Sequence, residues 1–202
     1  MAFLKEGIAD GKIDMSLHGY HHLRYNGLPE FIAGDELQRR AKNGKAYLED
    51  IFQINVSTFV PPNNSIGSRG LQAIIDAGMN LVGVPSLWSP RSRQISMKTI
   101  ASMPSYYWHE KVRRKKYPYV MDLGDHKEVS FHTAGPKSDY KALVSELEYC
   151  RQHDGIYVLS THYHAFERPT LSGDSVRKIL LKLLNRAAGL PGAEFVGINS
   201  IW

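Results

Sequence analysis

Apolar residues recur along the chain with two alternating periods, which predict helices and strands in turn. Helical spacing of apolar side chains occurs over residues 35–51, 68–75, 138–150 and 172–184. Short apolar runs between these segments predict buried strands at 12–17, 56–60, 81–84, 129–132, 156–160 and 194–198. This alternation is typical of an α/β fold in which helices cover a mostly parallel sheet, either open or rolled into a barrel.

Helix caps and stops support this division of the chain. Asp35, Ser68, Ser138 or Asp139, and Ser172 or Asp174 are placed to begin the four helices, while Gly78, Gly155 and Gly189 are placed to end three of them. The segment from Pro85 to Tyr119 has the weakest periodicity and four prolines, Pro85, Pro90, Pro104 and Pro118. We expect long loops there, with one short strand near Ile100, as an insertion within a single domain of residues 1–202.

Bulk composition agrees with one folded domain. The chain has 202 residues, of which 43% are hydrophobic, enough for a sizeable core. No apolar run approaches the roughly 18 to 20 residues that cross a bilayer, and residues 1–7 lack the long apolar segment of a signal peptide. The chain as given is therefore expected to be cytoplasmic, without a membrane span, unless it begins late in its gene.

A single cysteine excludes an internal disulfide. Cys150 follows Leu143 and Leu147 at helical spacing, which predicts a buried structural thiol rather than a nucleophile.

Positive charge is concentrated in one run. The formal net charge of +5 and the pI of about 9.2 depend strongly on Lys111–Lys116, which is either a solvated excursion or a contact for an anionic polymer. Tyr106, Tyr107 and Trp108 precede it, so aromatic stacking beside cations is conceivable. No nucleic-acid-binding module accompanies the run, and nucleic acid is not an expected partner.

Candidate chemistry begins with two histidines directly after the first predicted strand. His18 and His22 are four residues apart, and one helical turn would place both imidazoles on one face. Two imidazoles suit zinc and similar divalent metals, and a catalytic zinc typically has three protein ligands. The alternative is a polar loop whose histidines hydrogen-bond to nearby backbone. His21 would point elsewhere.

Two further segments lie where predicted strands end. Pro61 and Pro62 form either a rigid turn or a stiff loop that aims a backbone N–H, such as that of Asn63, at a reacting carbonyl. His162 follows the strand 156–160 and either only donates a hydrogen bond to a backbone carbonyl or serves as a general acid. His164 is a weaker candidate for the same role. Ligands of α/β folds bind at the carboxyl ends of strands, where His18, Asn63 and His162 are all predicted to lie.

In this order and spacing, His18-x-x-x-His22, Phe59-Val60-Pro61-Pro62-Asn63-Asn64 and Leu159-x-x-His162 resemble the polysaccharide deacetylase family of carbohydrate esterases. The resemblance covers roughly residues 12–200. It implies a distorted (β/α) barrel and removal of an N- or O-acyl group from a saccharide or polysaccharide, in a cell-envelope setting.

The same resemblance implies the roles of the site residues. His18 and His22 would bind a divalent metal, usually zinc, the Asn63 amide would contact the oxyanion, and His162 would be the proton donor. The family's arginine and aromatic residue near the proline loop fall at Val60 and Asn63 here, which puts a chitin-like substrate in doubt.

The family's paired aspartates have no counterpart in this sequence. They belong on a first strand well before the HxxxH motif, and only 17 residues precede His18. The resemblance therefore implies a barrel that lacks its first strand, in a truncated or divergent member. Asp14 on a strand would lie roughly 13 Å from His18. Other candidates for the missing ligand are Asp10, Glu30, Asp125, His126 and His132.

Two functions remain open at this point. The first is a metal-dependent deacetylase whose partner is a saccharide. The second is a catalytically inactive deacetylase-like domain that binds a carbohydrate or a protein through Tyr106, Tyr107, Trp108 and the basic run.

Overall fold

The structure is a computed structural model that describes residues 1–83 and 97–202. These residues divide into two compact units. The first unit comprises Met1–Met103, Val120–Val129 and Val196–Trp202, and the second comprises Pro104–Tyr119 and Ser130–Phe195. The single domain expected over residues 1–202 stays a prediction.

The first unit opens with helices and a small hairpin. Its first elements are α1 (Ala2–Ala9), β1 (Arg24–Tyr25), β2 (Leu28–Pro29), α2 (Glu30–Ala33) and α3 (Leu37–Phe52). β1 and β2 pair antiparallel across Asn26 and Gly27, which both have positive φ angles, as a tight hairpin turn requires. The predicted strand over 12–17 is mostly wrong, because within it only Leu17 makes a β-bridge.

The main sheet of the first unit has four strands. In chain order the elements are β3 (Thr58–Phe59), α4 (Ser68–Asp76), β4 (Asn80–Val82), β5 (Met121–Asp122) and β6 (Lys127–Val129). The strand order is β3-β4-β6-β5, with parallel pairing except between β5 and β6. Leu17 extends this sheet beside β3 through a parallel bridge to Phe59.

Helices α3 and α4 cover this sheet with the faces that their periodicity predicts. α3 buries Leu37, Ala41 and Gly44 at helical spacing, and α4 buries Leu71 and Ile74. These side chains form one hydrophobic core that also contains Leu17, Phe31, Val56, Phe59, Met79 and Leu81. Gly44 allows a close approach there, because a Cβ atom at this position would lie 2.8 Å from a methyl carbon of Leu17.

The second unit is built on a parallel pair of strands. β7 (Phe131–Ala134) pairs with β8 (Val158–Thr161), and the helices are α6 (Tyr140–Gln152) and α7 (Val176–Ala188). Its core contains Leu143 and Leu147 of α6 together with Ile179 and Leu183 of α7. Cys150 is buried as predicted, and burial raises the pKa of its thiol to about 12.

Several helix caps differ from the sequence-based predictions. Asp139 caps α6 by accepting a hydrogen bond from the Lys141 amide, as expected. Ser175 rather than Ser172 or Asp174 caps α7. Glu36, not Asp35, precedes α3, and it has a left-handed backbone conformation without a side-chain cap.

Two predicted segments are wrong. The loop and short strand expected near Ile100 are instead the helix α5 (Met97–Tyr107), which continues as a π-helical turn through Trp108–Val112. The remainder of that predicted loop, residues 85–96, lies outside the described residues. The final strand expected at 194–198 is absent from the described structure, where Phe195 and Val196 are exposed and a 3-10 turn follows at Ile198–Ile201.

The α/β class is therefore confirmed, whereas the barrel is not. Over residues 1–83 and 97–202 the strands form three separate sheets and no closed barrel. No helix in this part of the chain is long and apolar enough to span a bilayer.

Candidate functional site

His18 is placed by the parallel run of the chain beside β3. The Leu17 amide donates to the Thr58 carbonyl at 3.0 Å, and the Val60 amide donates to the Leu17 carbonyl at 2.9 Å. Because parallel segments end at the same edge of a sheet, His18 comes to lie next to Val60. The Nδ1 atom of His18 is 2.9 Å from the Val60 carbonyl oxygen. A carbonyl only accepts, so Nδ1 carries a proton, and in the neutral ring the lone pair is then on Nε2.

His22 lies beside His18, as the spacing predicts. The centroids of the two rings are 5.0 Å apart, and both side chains are exposed. The intervening loop is not a regular helical turn, since His22 has a φ of 55° and Gly19 a φ of 75°. The His21 ring packs edge-on against Tyr20, with centroids 4.5 Å apart.

A buried carboxylate accepts hydrogen bonds from the backbone of this loop. Glu30 is the first residue of α2 and has no solvent exposure. Its Oε2 atom accepts hydrogen bonds from the backbone amides of Tyr20, His21 and His22 at 3.0, 3.1 and 3.1 Å. Arg40 of α3 donates to Oε1 at 3.0 Å. Burial acts to raise the pKa of Glu30, but these amide and guanidinium hydrogen bonds outweigh burial and lower it.

The proline loop lies against the histidine loop. Pro61 and Pro62 are buried, and a Cβ atom on Gly19 would lie 2.5 Å from Pro62 and 3.1 Å from the Glu30 carboxylate. Only glycine can therefore occupy position 19 at this approach and this φ. Asn63 is exposed and has a left-handed φ of 54°. The backbone amide of the next residue, Asn64, donates to the Pro61 carbonyl.

His162 lies in the second unit, directly after β8. Its side chain is exposed, and the centroid of its ring is 5.2 Å from that of His164. The parallel pairing of β7 and β8 extends to Thr161, so His162 follows the carboxyl end of a paired strand, as predicted. Its role as proton donor stays a prediction.

The other candidates for a third metal ligand have different partners. Asp14 accepts from the Asn199 amide at 2.8 Å, and Asp10 pairs with Lys12 at 2.8 Å. Both ring nitrogens of the buried His126 are engaged, Nδ1 with Asp125 at 2.7 Å and Nε2 with Glu128 at 2.8 Å. Both oxygens of Glu30 are engaged with the histidine loop or Arg40, and therefore Glu30 is a poor candidate for a ligand.

His132 is likewise unsuited to a ligand role in this arrangement. It is buried in the second unit, where its ring stacks on Tyr157 with centroids 4.4 Å apart. Burial and the nearby charges of Lys116 and Lys115 lower the pKa of His132 to about 3.

The residues present fit a divalent metal in part. Two exposed imidazoles lie side by side, and one of them has its tautomer set by a backbone carbonyl, as is usual for histidines that bind metals. Among residues 1–83 and 97–202, no group of three or more His, Cys, Asp and Glu side chains is placed to hold an ion. The described residues therefore place two candidate ligands side by side, whereas a catalytic zinc typically has three protein ligands.

The aromatic and basic segment is only partly exposed. Tyr106 is buried and packs on Tyr117, so its predicted contact with a ligand is wrong. Lys115 pairs with Glu146 at 2.8 Å, and Lys116 donates to the Phe131 carbonyl. Tyr107 and Trp108 remain 59% and 42% exposed, and the Arg113 guanidinium lies 5.3 Å from the Trp108 ring centroid.

Comparison with known proteins identifies a similar fold. No protein-family model matches the sequence, and no curated protein matches it. Among solved structures, a protein from Mycobacterium smegmatis assigned as a polysaccharide deacetylase matches with a TM-score of 0.61 and 14% sequence identity. The match covers 98% of this chain and 64% of that chain. The described residues thus have an α/β fold like that of this protein, and the chain spans about two thirds of its length.

Proposed function

We propose that this protein is a metal-dependent hydrolase that removes an N- or O-acyl group, most simply acetyl, from a saccharide or polysaccharide. The observation that carries the proposal is the side-by-side placement of His18 and His22, with the His18 ring fixed by the Val60 carbonyl. The fold likeness to a protein assigned as a polysaccharide deacetylase supports the same reaction class. We propose that these strands belong to a distorted barrel of the polysaccharide deacetylase type.

His18 and His22 would hold the metal, with zinc as the expected ion. When bound, a divalent metal supplies Lewis acidity that polarises the acyl carbonyl and lowers the pKa of water. Overall, the reaction consumes one water, cleaves the acyl C–N or C–O bond, and releases a carboxylic acid and a sugar amine or alcohol.

The roles proposed for the other residues follow from their chemistry. Asn63 is an exposed residue that follows Pro61 and Pro62, and its backbone amide would donate to the oxygen of the acyl carbonyl as negative charge develops there. His162, which follows β8, would protonate the leaving amine or alcohol.

Acetate release from acetylated saccharides tests the proposal. The purified chain, loaded separately with zinc, cobalt, manganese, nickel and iron, is incubated with N-acetylated and O-acetylated oligosaccharides. We expect acetate release with at least one metal, loss of release in a His18→Ala, His22→Ala double variant, and retention in His21→Ala. Metal binding that survives the double substitution would contradict the proposal, and so would acetate release that the double substitution does not abolish.

A second candidate is a domain that binds saccharide or protein without chemistry. The exposed rings of Tyr107 and Trp108, with Arg113 over the latter, favour it. This candidate predicts binding to an oligosaccharide that is lost in a Tyr107→Ala, Trp108→Ala variant, with no acetate released. Acetate release by that variant at the wild-type rate would instead favour the hydrolase.

A further inference from the structure

The histidine loop, residues 18–22, has few backbone hydrogen bonds that would define its shape. Gly19 and His22 have positive φ angles, and the loop belongs to neither a helix nor a paired strand. A positive φ is unfavourable for a residue other than glycine, so His22 needs an interaction that compensates for it. The three amides of Tyr20, His21 and His22 point inwards, and all three converge on Oε2 of Glu30.

Only a carboxylate suits this position. Oε2 accepts three N–H groups and Oε1 accepts the Arg40 guanidinium, so the side chain acts as an acceptor at both oxygens. A glutamine amide would turn a donor towards either the backbone amides or Arg40, leaving buried donors without an acceptor. Arg40 compensates the buried charge, and its guanidinium also contacts the hydroxyl and the ring face of Tyr25.

The position of Glu30 is fixed by the packing of α2 against the core. It begins α2, whose next residue, Phe31, is fully buried and packs on Phe59 of β3 with ring centroids 4.6 Å apart. The Phe31 carbonyl accepts from the Gly67 amide at 2.9 Å, and a Cβ atom on Gly70 would lie 2.2 Å from that carbonyl oxygen. The carboxylate is therefore carried by the core of the first unit rather than by a mobile surface segment.

We propose that Glu30 is a positioning residue that folds the histidine loop so that the His18 and His22 rings lie side by side before any metal binds. Glu30 acts through the backbone of the loop, because both of its carboxylate oxygens accept hydrogen bonds from the loop amides or Arg40. Its expected effect on metal affinity rests on the function proposed above, whereas its effect on the shape of the loop does not. Preorganised ligands bind more tightly because the cost of ordering the loop is met during folding.

The test compares Glu30→Gln with a matched control, Glu49→Gln. Glu49 belongs to the same unit and also accepts a backbone amide, that of Val56 at 3.0 Å, but it does not contact the histidine loop. Amide and ring resonances of the metal-free proteins are followed by NMR. In Glu30→Gln we expect large shifts of the Tyr20, His21 and His22 amides and loss of the cross-relaxation between the His18 and His22 rings. Glu49→Gln should retain both features.

Metal titration provides the second readout. With Co²⁺ as the probe, Glu30→Gln should bind about 10- to 100-fold more weakly than wild type, whereas Glu49→Gln should stay within about 2-fold. Wild-type protein that binds no Co²⁺ would refute the proposed function, and the NMR comparison would still decide the role of Glu30. Unchanged loop resonances in Glu30→Gln would overturn the inference, whatever the metal result.

A measurement on the wild-type protein covers the case in which Glu30→Gln does not fold. Amide hydrogen exchange at Tyr20, His21 and His22 should be slow, although these residues lie outside helices and strands and their side chains are exposed. Exchange of all three amides at the rate of an unstructured chain would overturn the inference.

Discussion

The Nδ1 atom of His18 lies 2.9 Å from the carbonyl oxygen of Val60, and this contact sets which nitrogen of the ring carries the proton. It arises from the strand pairing immediately before it, because the Leu17 and Val60 backbones are already joined by a hydrogen bond. The same geometry that continues the sheet therefore orients a candidate metal ligand. Such backbone contacts usually fix both the rotation and the tautomer of metal-binding histidines.

The first prediction concerns this tautomer. In the neutral form of the His18 ring in the metal-free protein, the proton should be on Nδ1 and not on Nε2. Long-range ¹H–¹⁵N correlation spectra distinguish the two nitrogens directly. His21, whose ring packs against Tyr20, is the internal comparison, and a His18 ring protonated mainly at Nε2 would contradict the prediction.

The second prediction separates proton transfer from metal binding. His162→Ala should lower kcat for acetate release by about 10²- to 10⁴-fold, because a general acid contributes on that scale. Its Co²⁺ affinity should match that of wild type, since the proposed ligands are His18 and His22.

His164→Ala is the matched control for this prediction. His164 is also exposed, and its ring neighbours that of His162. This variant should retain kcat within a few-fold. An equal loss in both variants would indicate a disturbed loop and would contradict a specific role for His162.

Elements with strong local periodicity could be predicted from the sequence. α3, α4 and α6 bury residues at helical spacing, and the apolar run at 156–159 leads into β8, so local pattern was sufficient. α5 was missed because Pro104 lies inside it, and proline in a sequence argues against a helix interior. The expected last strand was wrong because the apolar residues Phe195 and Val196 are exposed, which no periodicity reveals.

Of the candidate site, the sequence could predict the proximity of His18 and His22 but not the contacts that shape their loop. The spacing of His18 and His22 predicted the proximity of their rings. The strand ends predicted where Asn63 and His162 lie along the chain, whereas the roles of these two residues stay predictions. The role of Glu30 was missed because it depends on three backbone amides whose direction no sequence pattern encodes. One signal was present, since Glu30 stands alone among Leu28, Pro29, Phe31 and Ile32, where a charge is expected to be buried and paired.

The third prediction concerns a network that joins the end of the chain to its beginning. The Asn199 side chain accepts from Ser57 and Thr58 and donates to Asp14 and the Met15 carbonyl. Asn199→Ala should lower the free energy of unfolding by about 2 to 3 kcal/mol, because it leaves several part-buried groups without partners. Urea denaturation measures this change.

An exposed asparagine provides the control for this prediction. Asn185→Ala, on the exposed face of α7, should change the free energy of unfolding by less than about 0.5 kcal/mol. Asn199→Asp should be at least as damaging as Asn199→Ala, since it places a second carboxylate against Asp14. Equal stability of wild type and Asn199→Ala would show that the network contributes nothing.

The fourth prediction is a loss of stability in mild acid that originates at His132. Burial, together with the positive charges of Lys116 and Lys115, lowers the pKa of His132 from 6.5 to about 3 in the folded protein. Between these values the unfolded chain binds a proton that the folded chain does not, so stability falls as the pH is lowered below about 6.5. The full effect, reached near pH 3, is on the order of a few kcal/mol.

His132→Phe isolates this contribution, because phenylalanine retains the stacking on Tyr157 and does not titrate. Glu146, whose Oε2 atom lies 3.9 Å from Nδ1 of His132, is the nearby acid that opposes the effect of the two lysines. His126 has the opposite pH dependence. Burial acts to lower its pKa, but Asp125 and Glu128 outweigh burial and raise it, so its contribution to the free energy of unfolding is lost as the pH rises. The decisive quantity is therefore the difference in unfolding free energy between wild type and His132→Phe. As the pH falls from 7 to 4, wild type should lose more stability than His132→Phe. A difference that stays constant over this range would show that His132 does not cause the loss of stability in acid.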